Sequence, residues 1–123
     1  MKIIHTEKAP AAVGPYSQAI VTGGLVFTSG QIALDPATGA IVGETIEEQT
    51  EQVMANLGAV LQAAGSGFEK AVKCTCFLSD MGYFAAFNAV YGKYFSGKPA
   101  RSCVAVKTLP KNVLVEVETI AEI

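Results

Sequence analysis

Arg101 is the only arginine in the chain and sits in a tight run, Pro99-Ala100-Arg101-Ser102-Cys103. A guanidinium is a planar fork of N–H donors that meets a carboxylate with two parallel hydrogen bonds, a geometry lysine cannot reproduce. Further on, Val115-Glu116-Val117-Glu118 places two carboxylates at alternate positions, on one face of an extended segment. A carboxylate can take and return protons. A buried strand carboxylate can equally do no more than balance a charge, and both readings of Glu118 stand. Cys103 has the look of a nucleophile, but the single histidine, His5, lies at the far N-terminus. No Cys–His pair is therefore expected, and Cys103 reads as pocket lining. Cys74 and Cys76 form a C-x-C on one strand face with no further ligands, so they read as small core hydrophobes and not as a metal site. Gly23-Gly24 is a turn, because no phosphate-loop pattern accompanies it.

The elements that must position these residues follow from periodicity and turn chemistry. Lys2 to His5 reads as a short strand, and Pro10, Gly14 and Pro15 make the segment from Glu7 to Tyr16 an irregular loop. Gln18–Val21 and Leu25–Thr28 read as a hairpin closed by Gly23-Gly24. Asp35-Pro36-Ala37-Thr38-Gly39 is a turn. Thr45 followed by Glu48 is a capping box, and Ile46, Val53, Leu57, Val60, Leu61 and Ala64 form one apolar stripe of a helix that Gly65 stops. Lys73 to Leu78 is a strand, with Val72, Cys74, Cys76 and Leu78 on one face. Ser79 or Asp80 caps a second helix running to about Phe95, with Phe84, Phe87, Tyr91, Tyr94 and Phe95 as its stripe and Asn88 beside it. Two last strands cover Ala100–Lys107 and Val113–Ile120.

The order is β-β-β-α-β-α-β-β in a single domain spanning residues 1–123, which predicts a two-layer α+β fold with a mixed β-sheet and two helices on one face. The last two strands predict a conflict. Val113, Val115 and Val117 suit the helices, while the second face is too apolar for water yet is expected to carry Arg101 together with Glu116 and Glu118. A subunit interface enclosing a polar pocket would satisfy both facts, since buried charges need partners. Arg101 and Glu118 are expected to meet near such a seam, or to pair with each other as a structural bridge.

Half of the residues are hydrophobic and only 16% are charged, against about 25% in ordinary soluble domains. In a small chain that excess reaches the surface and asks for a partner. The net charge of −2 and scattered basic residues argue against a nucleic-acid partner. No run approaches the roughly 18 apolar residues of a membrane span, and the N-terminus lacks the apolar core of a signal peptide. Membrane binding is not expected, and a cytoplasmic location with free thiols is.

Three segments carry a resemblance: Ala9-Pro10-Ala11-Ala12-Val13-Gly14-Pro15-Tyr16-Ser17-Gln18-Ala19; Thr28-Ser29-Gly30-Gln31-Ile32 with the Asp35–Gly39 turn; and Pro99-Ala100-Arg101-Ser102-Cys103-Val104 followed by Leu109-Pro110 and Val115-Glu116-Val117-Glu118-Thr119-Ile120-Ala121. In this order and spacing they resemble the Rid (YjgF) family, in its RidA branch. The resemblance implies a chorismate-mutase-like fold assembled as a homotrimer with sites at subunit interfaces. It implies an imine deaminase, a hydrolase acting on reactive 2-imino acids such as 2-iminobutanoate and 2-iminopropanoate to give 2-keto acids and ammonia, with no cofactor and no metal. On that reading Arg101 and Glu118 are catalytic, the first gripping the substrate carboxylate and the second serving as acid and base. Tyr16, Ser29, Gly30, Asn88 and Cys103 then bind or orient substrate or water. Two positions depart from the family: Lys98, where an aromatic or other apolar residue is common, and Ala105, where close relatives often carry a carboxylate. Two rival functions share the same residues: a non-catalytic metabolite-binding regulatory trimer, and an endoribonuclease or translation inhibitor.

Overall fold

A computed structural model describes all 123 residues. The strands are β1 (Lys2–Ile4), β2 (Ala19–Thr22), β3 (Leu25–Thr28), β4 (Ala71–Leu78), β5 (Ala100–Ala105) and β6 (Val115–Glu122), and the helices are α1 (Ile46–Ala63) and α2 (Phe84–Tyr94). This is the expected element order. The strands form one mixed sheet in the order β1-β2-β3-β6-β4-β5, in which only β4 and β5 run parallel, joined through α2.

Local chemistry accounts for the boundaries. Gly23 and Gly24 take φ of 58° and 77°, the positive pair a two-residue hairpin turn demands. The capping box of α1 is formed: Thr45 Oγ1 accepts from the Glu48 N–H, and Glu48 Oε1 accepts from the Thr45 N–H, each at 3.1 Å. At the other end Gly65 adopts a φ of 80°, and the Ser66 N–H donates to the Leu61 carbonyl at 2.9 Å. Asp80 caps the second helical segment by accepting from the Gly82 N–H at 2.6 Å, and a 3-10 turn over Met81–Tyr83 leads into α2. β6 begins two residues later than the pattern predicts, because Pro110–Asn112 forms a 3-10 turn first. β5 ends at Ala105 instead of Lys107.

Both helices pack on one face, over Cys74, Cys76 and Leu78 of β4 and Val115 and Val117 of β6, all fully buried. Val72 was expected on that face; a register shift between Ala71 and Lys73 turns it outward, 45% exposed. The second correction concerns Arg101. β5 pairs in parallel with β4 in the register Cys74↔Arg101, Cys76↔Cys103 and Leu78↔Ala105. Neighbouring residues across a sheet point to the same side, so Arg101 and Cys103 face the helices. The opposite face carries Glu116 beside Phe77 and Val104, and Glu118 beside Thr75 and Ser102. Arg101 and the two carboxylates therefore lie on opposite faces of the sheet, and no ion pair joins them within the chain. No helix is long and apolar enough to cross a membrane.

Candidate functional site

The Arg101 side chain is half-buried between edge strand β5 and helix α2. Its Nη1 donates to Asn88 Oδ1 at 2.7 Å. Its guanidinium carbon lies 4.8 Å from the centre of the Tyr91 ring and 5.4 Å from that of Phe84, within cation–π range. The one ion pair of the chain joins Lys93 to Glu51, so Arg101 has no carboxylate partner. It has five N–H donors and opens onto a cavity of about 420 Å³ shared with Tyr91, Phe95, Lys98 and Pro99. Lys98 holds the left-handed φ of 54° at the mouth. Cys103 is on the same strand face, half-buried. Burial pushes its thiol up and the Arg101 charge opposes this only in part. Cys76 and Cys74 beneath it are raised by burial as well, so all three read as thiols and not thiolates.

A second cavity, about 440 Å³, is lined by Tyr16, Gln18, Ser29, Gly30, Gln31 and Glu116, among others. Its wall is tied down by Gln18, a buried side chain. Gln18 Oε1 accepts from the Thr6 N–H at 2.7 Å, and Nε2 donates to the carbonyls of Thr6, Ala9 and Pro10. Ser29 Oγ donates to the Ser17 carbonyl at 2.6 Å, fixing the strand end against the loop that carries Tyr16. The Tyr16 ring is itself 52% exposed. Gly30 lets the Glu116 side chain lie close against the backbone: a Cβ at that position would come within 2.8 Å of the Glu116 carboxyl carbon and push that side chain aside. Burial, and secondarily the charge of Glu118, raise the Glu116 carboxyl above the usual range.

The structure thus sorts the candidate residues into two groups. Arg101, Asn88 and Cys103 come together on the helix side. Tyr16, Ser29 and Gly30 come together at the other cavity. Glu118 lines neither; it is exposed on the open face, two residues from Glu116. Sequence reasoning missed Phe84 and Tyr91 as neighbours of Arg101, having placed them in a core stripe. It also missed Glu116 and Gln18 as cavity residues. For Gln18 a signal existed, a large amide at the start of an apolar strand; for Glu116 the shared face with Glu118 was the only one.

Comparison with known proteins agrees with this architecture. The family model described as Endoribonuclease L-PSP matches residues 6–123. A RutC family protein of Synechocystis sp. is 60% identical over 98% of this chain and 95% of its own length. The chloroplastic Reactive Intermediate Deaminase A of Arabidopsis thaliana is 49% identical over 98% of this chain and 65% of its own. The crystal structure of E. coli TdcF with bound serine superposes with a TM-score of 0.94 at 42% identity, covering all of both chains to within 1% (100% of this one and 99% of that one). The chain belongs to the Endoribonuclease L-PSP family, the YjgF or Rid family, which includes a reactive intermediate deaminase.

Proposed function

We propose that this chain hydrolyses small 2-imino acids, of the 2-iminobutanoate and 2-iminopropanoate type, to 2-keto acids and ammonia. One observation carries the reading: Arg101 is held by Asn88, faces a cavity and has no carboxylate of its own. Such a fork is set to receive the carboxylate of a small acid, a charge-assisted contact worth about 1.5–3 kcal/mol. Serine, the ligand of TdcF, carries the same carboxylate beside a substituted carbon. The 2-imino carbon adjacent to the gripped carboxylate is electrophilic, and water adds to it without a metal or redox group. Water addition gives a carbinolamine; proton transfer to nitrogen then expels ammonia and leaves the keto acid. A carboxylate that takes a proton from water and returns it to nitrogen contributes roughly 10²–10⁴-fold. Glu118, exposed and free of hydrogen-bonding partners in the chain, is assigned that role, while Glu116 is drawn against Gly30.

Since Arg101 and Glu118 lie on opposite faces, a complete site needs two copies of the chain, the open face of one brought to the Arg101 edge of another. The apolar residues on that open face, Phe27 and Val104 among them, support such an assembly, for which a homotrimer is the proposed form. The deciding experiment generates the imine with a threonine dehydratase and follows keto-acid release with and without this protein. Acceleration that disappears in Arg101→Ala supports the reading. Saturable keto-acid binding with no acceleration replaces it with a metabolite-binding regulator. RNA cleavage abolished by Arg101→Ala would instead favour the endoribonuclease reading that the family description carries.

A further inference from the structure

We propose that Phe84 and Tyr91 are positioning residues for Arg101, completing with Asn88 a cradle on α2 that fixes the guanidinium without neutralising it. The inference rests on the reading of Arg101 as the carboxylate-binding group, though not on imine chemistry. Positions 84, 88 and 91 follow one another at helical spacing and share a face of α2. That face meets β5 at Arg101, with an amide oxygen at 2.7 Å and two ring centres at 4.8 and 5.4 Å.

The chemistry of the three groups is the informative part. An arginine kept for structure alone is ordinarily matched with a carboxylate, because a buried charge needs a counter-charge. Here every contact to the guanidinium is neutral. An amide oxygen and two π faces attract a cation and restrict its plane, yet leave its charge for an incoming anion. A carboxylate at position 88 would give an equally short hydrogen bond but would compete with the ligand.

The cradle is also stiff. Tyr91 is 8% exposed; its ring stacks on Phe95 at 4.6 Å and lies 5.5 Å from Phe87. The Tyr91 hydroxyl is buried beside the Cys74 thiol, a weak partner that does not meet strict hydrogen-bond geometry. The ring is what this residue presents to the Arg101 guanidinium, while its hydroxyl lies toward Cys74.

The test is calorimetric binding of 2-oxobutanoate, run beside the imine-hydrolysis assay. Tyr91→Leu and Phe84→Leu are each expected to raise the Kd about 3–30-fold, and Tyr91→Phe to restore binding. Asn88→Asp is expected to weaken binding progressively as pH rises through the carboxylate range, because the introduced charge forms and occupies the fork. Thermal melts identify any variant that fails to fold; Phe84 is only half-buried, so Phe84→Leu keeps the question open should Tyr91→Leu unfold. Folded Phe84→Leu and Asn88→Asp proteins with wild-type Kd at every pH would overturn the proposal, as would a wild-type protein that does not bind 2-oxobutanoate. Binding that follows the cradle variants without any acceleration of imine loss would leave the cradle standing and remove the deaminase reading.

Discussion

At the residue scale the arginine and the carboxylates make separable predictions. Arg101→Lys keeps the charge but loses the fork, and Arg101→Ala loses both. Each is expected to lower kcat/KM for the dehydratase-generated imine by about 10–150-fold or more, the equivalent of one charge-assisted contact. Far-UV dichroism should be unchanged, since the guanidinium sits at an edge strand and makes one hydrogen bond. Glu118→Gln should lower kcat by about 10²–10⁴-fold with a smaller effect on KM, because proton transfer and not binding is removed. Glu116 predicts a stability effect instead. Its folded pKa is raised, by burial first and by Glu118 second. Ionisation is therefore harder in the folded than in the unfolded chain. Its contribution to stability is fully present below the unfolded carboxylate pKa and is lost as pH rises through the higher folded value. Urea midpoints should show this decline upward from about pH 4, and Glu116→Gln should flatten it and be the more stable protein at pH 7.

At the element scale, α1 is the support on which the sheet's helix face is built, and its N-terminus is held by a reciprocal pair of hydrogen bonds. Thr45→Ala removes the Thr45 side of the box and should cost about 1 kcal/mol, or about 3–5 °C in Tm for a domain of this size. The effect on substrate KM should be negligible, because no residue of either cavity lies on the first turn of α1. α2 has a double duty. Phe87 and Phe95 of its neighbourhood go to the core, Phe84 and Asn88 turn to Arg101, and Tyr91 does both. A single apolar stripe in the sequence thus divides between packing and positioning.

At the scale of the whole molecule, the face of the sheet opposite the helices is left uncovered within the single chain. Ile3 is 64% exposed, Val104 46% and Phe27 39%, and these share the face with Glu116 and Glu118. The proposed assembly would cover these exposed apolar residues. Sedimentation should find an oligomer, with a trimer expected. Val104→Glu should shift it toward monomer and abolish imine hydrolysis, while keto-acid binding by the Arg101 cradle falls less. A fully active monomer would contradict the composite site.

What could be read from the chain alone was whatever depends on neighbours in sequence. The capping box at Thr45, the Gly23-Gly24 turn and the order of elements follow from residue types at short spacing, and the Rid family from the resemblance of three segments taken together. Arg101, the only arginine, could be singled out in the same way as the candidate to bind a carboxylate. The side of the sheet on which it stands could not. Alternation along β5 says only that Arg101 and Cys103 share a face, and an edge strand is too lightly buried to say which one. That was decided by the parallel pairing of β5 with β4 across the α2 crossover, a contact between distant segments. The same pairing put Arg101 and Glu118, which the sequence left free to meet at a subunit seam or to bridge to each other, on opposite faces of the sheet, and it drew Asn88 and Tyr91 to the guanidinium.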